Sequence, residues 1–195
     1  MTAALYIDPA RGPYPALLGP DACWGVERDA KGYTGPGPVI AHPPCGPWGR
    51  LAHMCTKQDP DCGPRAVEQV LAHGGALEHP AGSSLWRHCD LPRPLAAEGQ
   101  LPLAAPGVWT LEVDQCRWGH PAQKRTWILL SGIRPDELPP IPAWQEPTHY
   151  IDTNSSRKGS AGPQGHLPKS KRHITPPAFA RWLIAAVEAA GKADR

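Results

Sequence analysis

Apolar residues in this chain occur mostly in short continuous runs, and proline or glycine interrupts nearly every run. Such runs are typical of short strands that are buried on both faces, as in a parallel sheet. On this pattern we predict six strands, at residues 4–8, 23–27, 39–41, 76–80, 108–113 and 125–132. The last two are the clearest, because they are rich in β-branched and aromatic residues.

Helical spacing of apolar residues occurs in two places. The first predicts a helix over 65–73, which the glycine pair at 74–75 ends. The second predicts a C-terminal helix with Thr175 as its N-cap and Pro176 as its first residue. Its apolar stripe consists of Phe179, Trp182, Leu183, Ala186 and Val187. We expect this helix to end at Gly191.

Strands that alternate with short helices predict an α/β fold in a single compact domain over residues 1–195. We expect a small, doubly wound, mostly parallel sheet with few short helices and a C-terminal helix. Residues 134–172 are predicted to form a largely irregular basic segment. If the strands run parallel, residues at their carboxyl ends share one rim of the sheet, where open α/β sheets place their chemistry. These rim residues are Asp8, Glu27, Cys45, Glu78 and Gln115.

The composition supports a packed protein with one basic region. The 195 residues include eight Trp, 26 Pro and 20 Gly, which indicates a tryptophan-rich core joined by tight loops. The net charge is only +2, but residues 153–187 contain several Lys and Arg and no Asp or Glu. That distribution is suited to phosphate. The alternative is an ordinary solvated basic surface.

The start of the chain lacks the basic residues and the long apolar run of a secretory signal, and no stretch reaches transmembrane length. We therefore expect a cytoplasmic protein whose six cysteines are thiols. Residue types that suit zinc are found at His53, Cys55, Cys62, His88 and Cys89. The spacing from Cys55 to Cys62 is wider than in zinc knuckles, so we predict no metal site.

Residues 38–49 are predicted to form a short strand and then a rigid turn that contains a cysteine. Residues 39–41 suit a buried strand, and Pro43-Pro44 ends it because a proline nitrogen cannot donate to a sheet ladder. Cys45 follows directly. Two interpretations stay open: a nucleophile at the end of a strand, or a structural thiol, since free cysteines are commonly buried.

Cys45 and Glu78 together suit conjugate addition to a pyrimidine, because each lies at the end of a short apolar strand beside proline. The sulfur attacks C6 while the carboxyl group hydrogen-bonds or protonates N3, so that C5 becomes nucleophilic. The site must remove the thiol proton or stabilise the thiolate, since a free thiol has a pKa of about 8.5. Lys124 and Arg125, at the start of the last strand, are candidates for stabilising charge at the ring oxygen.

These motifs resemble those of the DNA cytosine-C5 methyltransferases, in particular the compact methylase-like proteins of bacteriophages and prophages. The family's proline-cysteine nucleophile motif is similar to residues 42–45, and its Glu-Asn-Val motif to residues 78–80. Its arginine motif resembles residues 118–126, where Lys124 and Thr126 stand at the two arginine positions. The family's late motif, which precedes a helix, resembles residues 172–177.

The resemblance implies a reduced S-adenosylmethionine methyltransferase fold. It also implies methyl transfer from S-adenosylmethionine to C5 of a cytosine flipped out of double-stranded DNA. The implied catalytic residues are Cys45, Glu78, Lys124 and Arg125. The implied cofactor residues are Asp8, Gly12, Trp24, Glu27 and Pro44. DNA contacts are assigned, from the resemblance and the basic segment together, to Trp48, Arg50, Gln115, Arg157, Lys158, Lys169, Lys171 and Arg172.

The chain departs from the family mainly in its cofactor half. The family's Phe-x-Gly-x-Gly loop is replaced by residues 6–14, which contain one glycine, and only 17 residues separate Glu27 from Cys45. Two alternatives therefore stay open. One is a pyrimidine C5-modifying enzyme that uses another donor or a nucleotide substrate, and the other is a non-catalytic DNA-binding protein with a degenerate methylase fold.

Overall fold

Six strands form one mixed sheet in the computed structural model, which describes residues 1–49, 52–149, 151 and 165–193. The strands are β1 (Ala3–Leu5), β2 (Cys23–Trp24), β3 (Val39–Ala41), β4 (Gly75–Pro80), β5 (Val108–Asp114) and β6 (Arg125–Ser131). Each corresponds to a predicted strand, although β1 and β2 end earlier than predicted.

Local backbone geometry explains these early ends. Tyr6 has a φ of +58°, a left-handed conformation that interrupts the extended chain, and its hydroxyl donates to Gln69 Oε1 at 2.7 Å. Trp24 is followed by Gly25, where an added Cβ would lie 2.5 Å from the carbonyl oxygen of Ile7. The chain segments beyond β1 and β2 therefore approach each other backbone to backbone, which requires glycine at this position.

The strand order across the sheet is β2-β1-β3-β4-β6-β5. β1 pairs in parallel with β2 and β3, and β3 pairs in parallel with β4. β6 lies antiparallel to both of its neighbours, β4 and β5, so β5 runs in the same direction as β1–β4. The carboxyl ends of five strands therefore meet at one rim, as predicted, and the amino end of β6 joins them there.

Four α-helices accompany the sheet: α1 (Tyr14–Leu18), α2 (Cys62–His73), α3 (Ser84–His88) and α4 (Pro177–Ala193). The two helices predicted from periodicity are confirmed, with shifted ends. α2 begins three residues earlier than predicted, and at its Gly63 an added Cβ would lie 2.5 Å from Trp48 Nε1. α4 begins one residue later than predicted and continues past Gly191.

The helices cover both faces of the sheet, which gives the predicted α/β class. The hydrophobic cluster on one face includes Tyr14 of α1, Phe179 of α4 and Trp109 of β5. The cluster on the other face includes Val70 of α2 and Leu85 of α3. The rim is thus the part of the sheet that the two helical layers leave accessible.

The described residues between 134 and 172 form neither an α-helix nor a strand of the sheet, as predicted. Part of this segment is held against α4, because Trp182 Nε1 donates to the carbonyl oxygens of Pro139 at 3.0 Å and Pro140 at 3.2 Å. Within the described chain, no helix is long and apolar enough to cross a bilayer.

Phe179 tests the packing of α4. It is fully buried, and its ring centroid lies 5.0 Å from that of Trp118 and 6.2 Å from that of Trp182. Phe179→Ala leaves a cavity, so we expect the free energy of unfolding to fall by about 3–5 kcal/mol. Urea unfolding measures this as a lower midpoint with an unchanged slope. Glu188→Ala, at an exposed position of α4, is the control, and an equal loss in both variants would contradict this packing.

Candidate active site

Cys45 lies at the rim, on the loop that follows β3. Residues 42–44 lead from the strand to Cys45, and a 3₁₀ turn, Gly46–Trp48, begins directly after it. The Gly46 amide donates to Gln58 Oε1 at 2.9 Å, which ties this turn to a neighbouring loop. Cys45 itself is exposed. An exposed residue on a braced loop suits a nucleophile better than a structural thiol.

Glu78 is largely buried beside this loop, and the protein binds both of its carboxylate oxygens. Gln115 Nε2 donates to Oε1 at 2.7 Å, and His42 Nδ1 lies 3.2 Å from Oε2. The Thr126 hydroxyl lies 3.5 Å from Oε1 and 3.0 Å from Gln115 Nε2. Side chains from β6 and from the segments after β3 and β5 therefore converge on this one carboxylate of β4.

Tyr14 extends this network from the first residue of α1. Its hydroxyl lies 2.6 Å from His42 Nε2. Burial, together with the charge of Glu78, raises the pKa of Tyr14 well above its ordinary value, so the phenol stays protonated and donates to Nε2. The proton of a neutral His42 ring is then on Nδ1, where it donates to Glu78.

Lys124 and His42 keep Glu78 ionised despite its burial. Burial alone raises the pKa of Glu78, but the charge of Lys124 and the hydrogen bond from His42 outweigh it and hold the pKa at about 2. Glu78 is therefore a carboxylate at neutral pH. It can accept a hydrogen bond from a ligand, whereas protonating N3 of a pyrimidine, the other role expected from the sequence, would require a neutral carboxyl group.

Lys124 brings a positive charge within electrostatic reach of both Cys45 and Glu78. Although the Cys45 residue is exposed, surrounding atoms keep water away from much of its thiol. This desolvation and the charge of Glu78 raise the pKa of the Cys45 thiol, and Lys124 lowers it. The Lys124 backbone has a φ of +43°, and its Nζ donates to the carbonyl oxygen of Ile174 at 3.4 Å. The structure thus brings together three of the four predicted catalytic residues.

Arg125 does not join them. Its guanidinium pairs with Glu112 of β5, which also accepts a hydrogen bond from Trp127 Nε1 at 2.7 Å. Trp48, predicted to contact DNA, is half-buried, with its ring centroid 4.8 Å from that of His88 and its Nε1 beside Gly63 of α2. Gln115, predicted to contact DNA, is fully buried and bonded to Glu78.

The predicted cofactor residues do not form a cradle for S-adenosylmethionine. Asp8 and Gly12 are exposed in one turn, where Asp8 Oδ1 accepts from the Ala10 amide at 2.9 Å. The Arg28 guanidinium lies 4.2 Å from the centroid of the Trp24 ring and covers one of its faces. Glu27 is exposed at the end of the β2 segment, and Pro44 lies on the Cys45 loop. On this geometry, the residues present do not fit the cofactor.

The other predicted DNA contacts lie only partly within the described residues. Arg50, Arg157 and Lys158 lie outside the described residues. Lys169 and Lys171 belong to a 3₁₀ turn, and Lys171 is exposed. Arg172 donates from Nε to the carbonyl oxygen of Leu167 at 2.8 Å.

His79 is a site neighbour whose importance the sequence did not indicate. Its side chain is buried on the face opposite Glu78, 6.3 Å between ring centroids from Trp86, and the backbone of Pro44 lies beside it. Burial lowers the pKa of His79 to about 4, although Glu78 opposes this effect. The His79 ring is therefore neutral, and it packs beside the backbone of Pro44 in the Cys45 loop. Tyr14 was also missed, because nothing in its local sequence signals a contact with His42.

No family model, no curated protein and no solved structure matches the chain significantly. The arrangement of side chains at the rim is therefore the basis for a functional proposal.

The ionised state of Glu78 predicts an acid-sensitive stability. Its pKa is about 2 in the folded protein against an ordinary 4.5, so its contribution is complete above pH 4.5 and lost as the pH falls towards 2. We expect wild type to lose on the order of 3 kcal/mol from this group, measured by urea unfolding at a series of pH values. In Glu78→Gln, this pH-dependent contribution to the free energy of unfolding should be absent. Glu27→Gln is the exposed control, and identical acid dependence in Glu78→Gln and wild type would disprove the assignment.

The charges around Cys45 predict opposite shifts in its titration. Glu78→Gln removes a negative charge and should lower the pKa of the thiol, whereas Lys124→Met removes a positive charge and should raise it. Alkylation by iodoacetamide across a pH series, read by peptide mass spectrometry, measures both shifts. Cys89 in the same samples is the internal control, because neither Glu78 nor Lys124 acts on its pKa. Shifts in the same direction in both variants would be incompatible with this geometry.

Proposed function

We propose that the protein is an enzyme that modifies a pyrimidine of DNA through a covalent adduct with Cys45, as DNA cytosine-C5 methyltransferases do. The observation that supports it most is the convergence at one rim of the thiol of Cys45, an ionised carboxylate and an ammonium group. These groups come from three separate parts of the sequence. Together they suit nucleophilic addition to an electron-poor ring.

Cys45 begins the proposed reaction. Its sulfur forms a bond to C6, the thiol proton passes to solvent, and the C5–C6 π electrons move into the ring. Lys124 stabilises the negative charge that develops on the carbonyl oxygen at C2 of the pyrimidine. C5 is then nucleophilic and takes an electrophile. A base takes the C5 proton, the C5–C6 double bond forms again, and the C6–S bond breaks to release the thiolate, which takes a proton back from solvent.

Glu78 orients the base. The carboxylate has about four acceptor positions, so bonds from Gln115 and His42 leave room for a bond from the ligand. The exocyclic amino group of cytosine can donate such a bond, whereas the corresponding oxygen of thymine or uracil would face the negative charge. The site therefore favours cytosine. Reaching this base in duplex DNA requires that it be flipped out of the stack.

The steps up to a nucleophilic C5 need no methyl donor. The resemblance implies S-adenosylmethionine, but Asp8, Gly12, Trp24 and Glu27 form no site that fits it in this structure. The chain's own residues account for the addition step, and the identity of the electrophile is a separate question.

A second candidate function is non-catalytic DNA binding. The raised pKa of Cys45 favours this alternative, because a thiol that stays protonated at neutral pH is a weak nucleophile. Both oxygens of Glu78 already have a protein partner, Gln115 on one and His42 on the other, which also suits a purely structural network.

A hydrogen-exchange experiment separates the two functions without a donor. Addition of Cys45 to C6 makes C5 exchange its hydrogen with water, so DNA that carries tritium at cytosine C5 releases it to solvent. We expect wild type to release tritium, Cys45→Ala to release none, and Glu78→Gln to be slower by on the order of a hundredfold. Cys89→Ala is the matched control and should behave as wild type.

Two outcomes decide between the candidates. Release that survives Cys45→Ala, or the absence of release from DNA that the protein binds, would rule out the covalent mechanism. If the protein binds DNA but releases no tritium, the result supports non-catalytic DNA binding. Repeating the assay with S-adenosylmethionine and labelled methyl groups then tests the donor separately, since methylation requires both the adduct and a bound cofactor.

A further inference from the structure

A second concave surface lies beside the candidate active site, between the chain that follows β5 and the start of α4. We call it the α4 cleft. It has a volume of about 380 Å³, with residues 118–121 on one side and Lys171, Ile174, residues 176–178 and Arg181 on the other. This volume is at the lower end of the range of about 300–1,000 Å³ that is typical of ligand pockets.

The walls of the α4 cleft are largely apolar. Ile174 is 45% exposed, and Pro121, Pro176 and Pro177 line the cleft with it. Exposed apolar surface beside polar groups is typical of a binding site. A flat ring can lie on such a surface without hydrogen-bond readout, as bases do on the stacking platforms of single-strand binding proteins.

The charge at the edge of the α4 cleft is positive. Lys171 and Arg181 are exposed there, and none of the described residues that line the cleft is acidic. The amino end of the 17-residue helix α4 also faces the cleft, and a helix dipole adds partial positive charge at that end. The cleft therefore combines a surface for an apolar ring with a charge that attracts an anion.

Lys124 connects the α4 cleft to the candidate active site. Its Nζ donates to the carbonyl oxygen of Ile174 at 3.4 Å, and its charge acts on Glu78, Cys45 and His120. His120 itself lines the cleft. A polymer that places one unit at Cys45 therefore has an adjacent surface of suitable chemistry for the next unit.

We propose that the α4 cleft binds the nucleotide next to the modified base in a DNA strand. The base of that nucleotide lies on Ile174 and the prolines, and its phosphate lies between Lys171 and Arg181. This inference rests on the proposed function and adds to it a separate binding site for the neighbouring nucleotide of the DNA strand.

Binding of a fluorescent single-stranded oligonucleotide that contains cytosine tests the cleft, with affinity measured by anisotropy over a series of salt concentrations. Lys171→Ala and Arg181→Ala should each weaken binding and reduce the slope of log K against log salt by about 0.7 per lost phosphate contact. Ile174→Ser should weaken binding by about fivefold, the effect expected from half-burying this side chain, and leave the slope unchanged. Arg87→Ala, an exposed arginine on α3, is the matched control.

The outcomes separate this inference from the proposed function. If the cleft variants bind as wild type, or if Ile174→Ser has no effect, the nucleotide site is disproved, whatever the tritium assay shows. If the cleft variants weaken binding while wild type releases no tritium, the DNA site stands and the chemistry fails. Equal losses in Arg87→Ala and Arg181→Ala would show a general charge effect and overturn the proposal.

Discussion

The buried carboxylate of Glu78 is the constraint on which the arrangement of the rim depends. An ionised group inside a protein is costly unless opposite charge and hydrogen bonds compensate it. His42 after β3, Gln115 after β5 and Thr126 of β6 provide the hydrogen bonds, and Lys124 provides the charge. Because these partners lie on different segments, Glu78 fixes the segments relative to one another. Cys45 follows His42 by three residues, so the same arrangement determines where the thiol lies.

The sequence was sufficient to predict the strands, the two longer helices and the neighbourhood of Cys45 and Glu78. Both residues follow apolar runs that proline ends, and parallel strands bring such ends to one rim. Lys124 and Arg125 are neighbours in sequence, and the alternation of side chains along β6 decides which of them lies on the side of Glu78. Thr126 faces Glu78, so the preceding Arg125 faces the opposite side of β6 and meets Glu112.

Other parts of the site depend on contacts that no local pattern encodes. Tyr14 reaches His42 because α1 packs against β2 and α4 on one face of the sheet, and this packing is a property of the assembled fold. Gln115 was expected at the surface as a DNA contact, but the direction of the chain after β5 turns it inward. The early end of β1 depends on the left-handed backbone of Tyr6 and its bond to Gln69 of α2. These are long-range interactions, whereas propensity and periodicity describe only neighbours in sequence.

The central position of β6 has a consequence for synthesis of the chain. β6 lies between β4 and β5 but follows both in sequence, so β4 has an open edge until residues 125–131 leave the ribosome. An open edge can pair with strands of other molecules. The nascent protein therefore passes through a stage in which the four strands β1–β4 can pair without β6 and the charge of Glu78 is not yet compensated by Lys124. Folding is completed late, which makes chaperones most relevant to this stage.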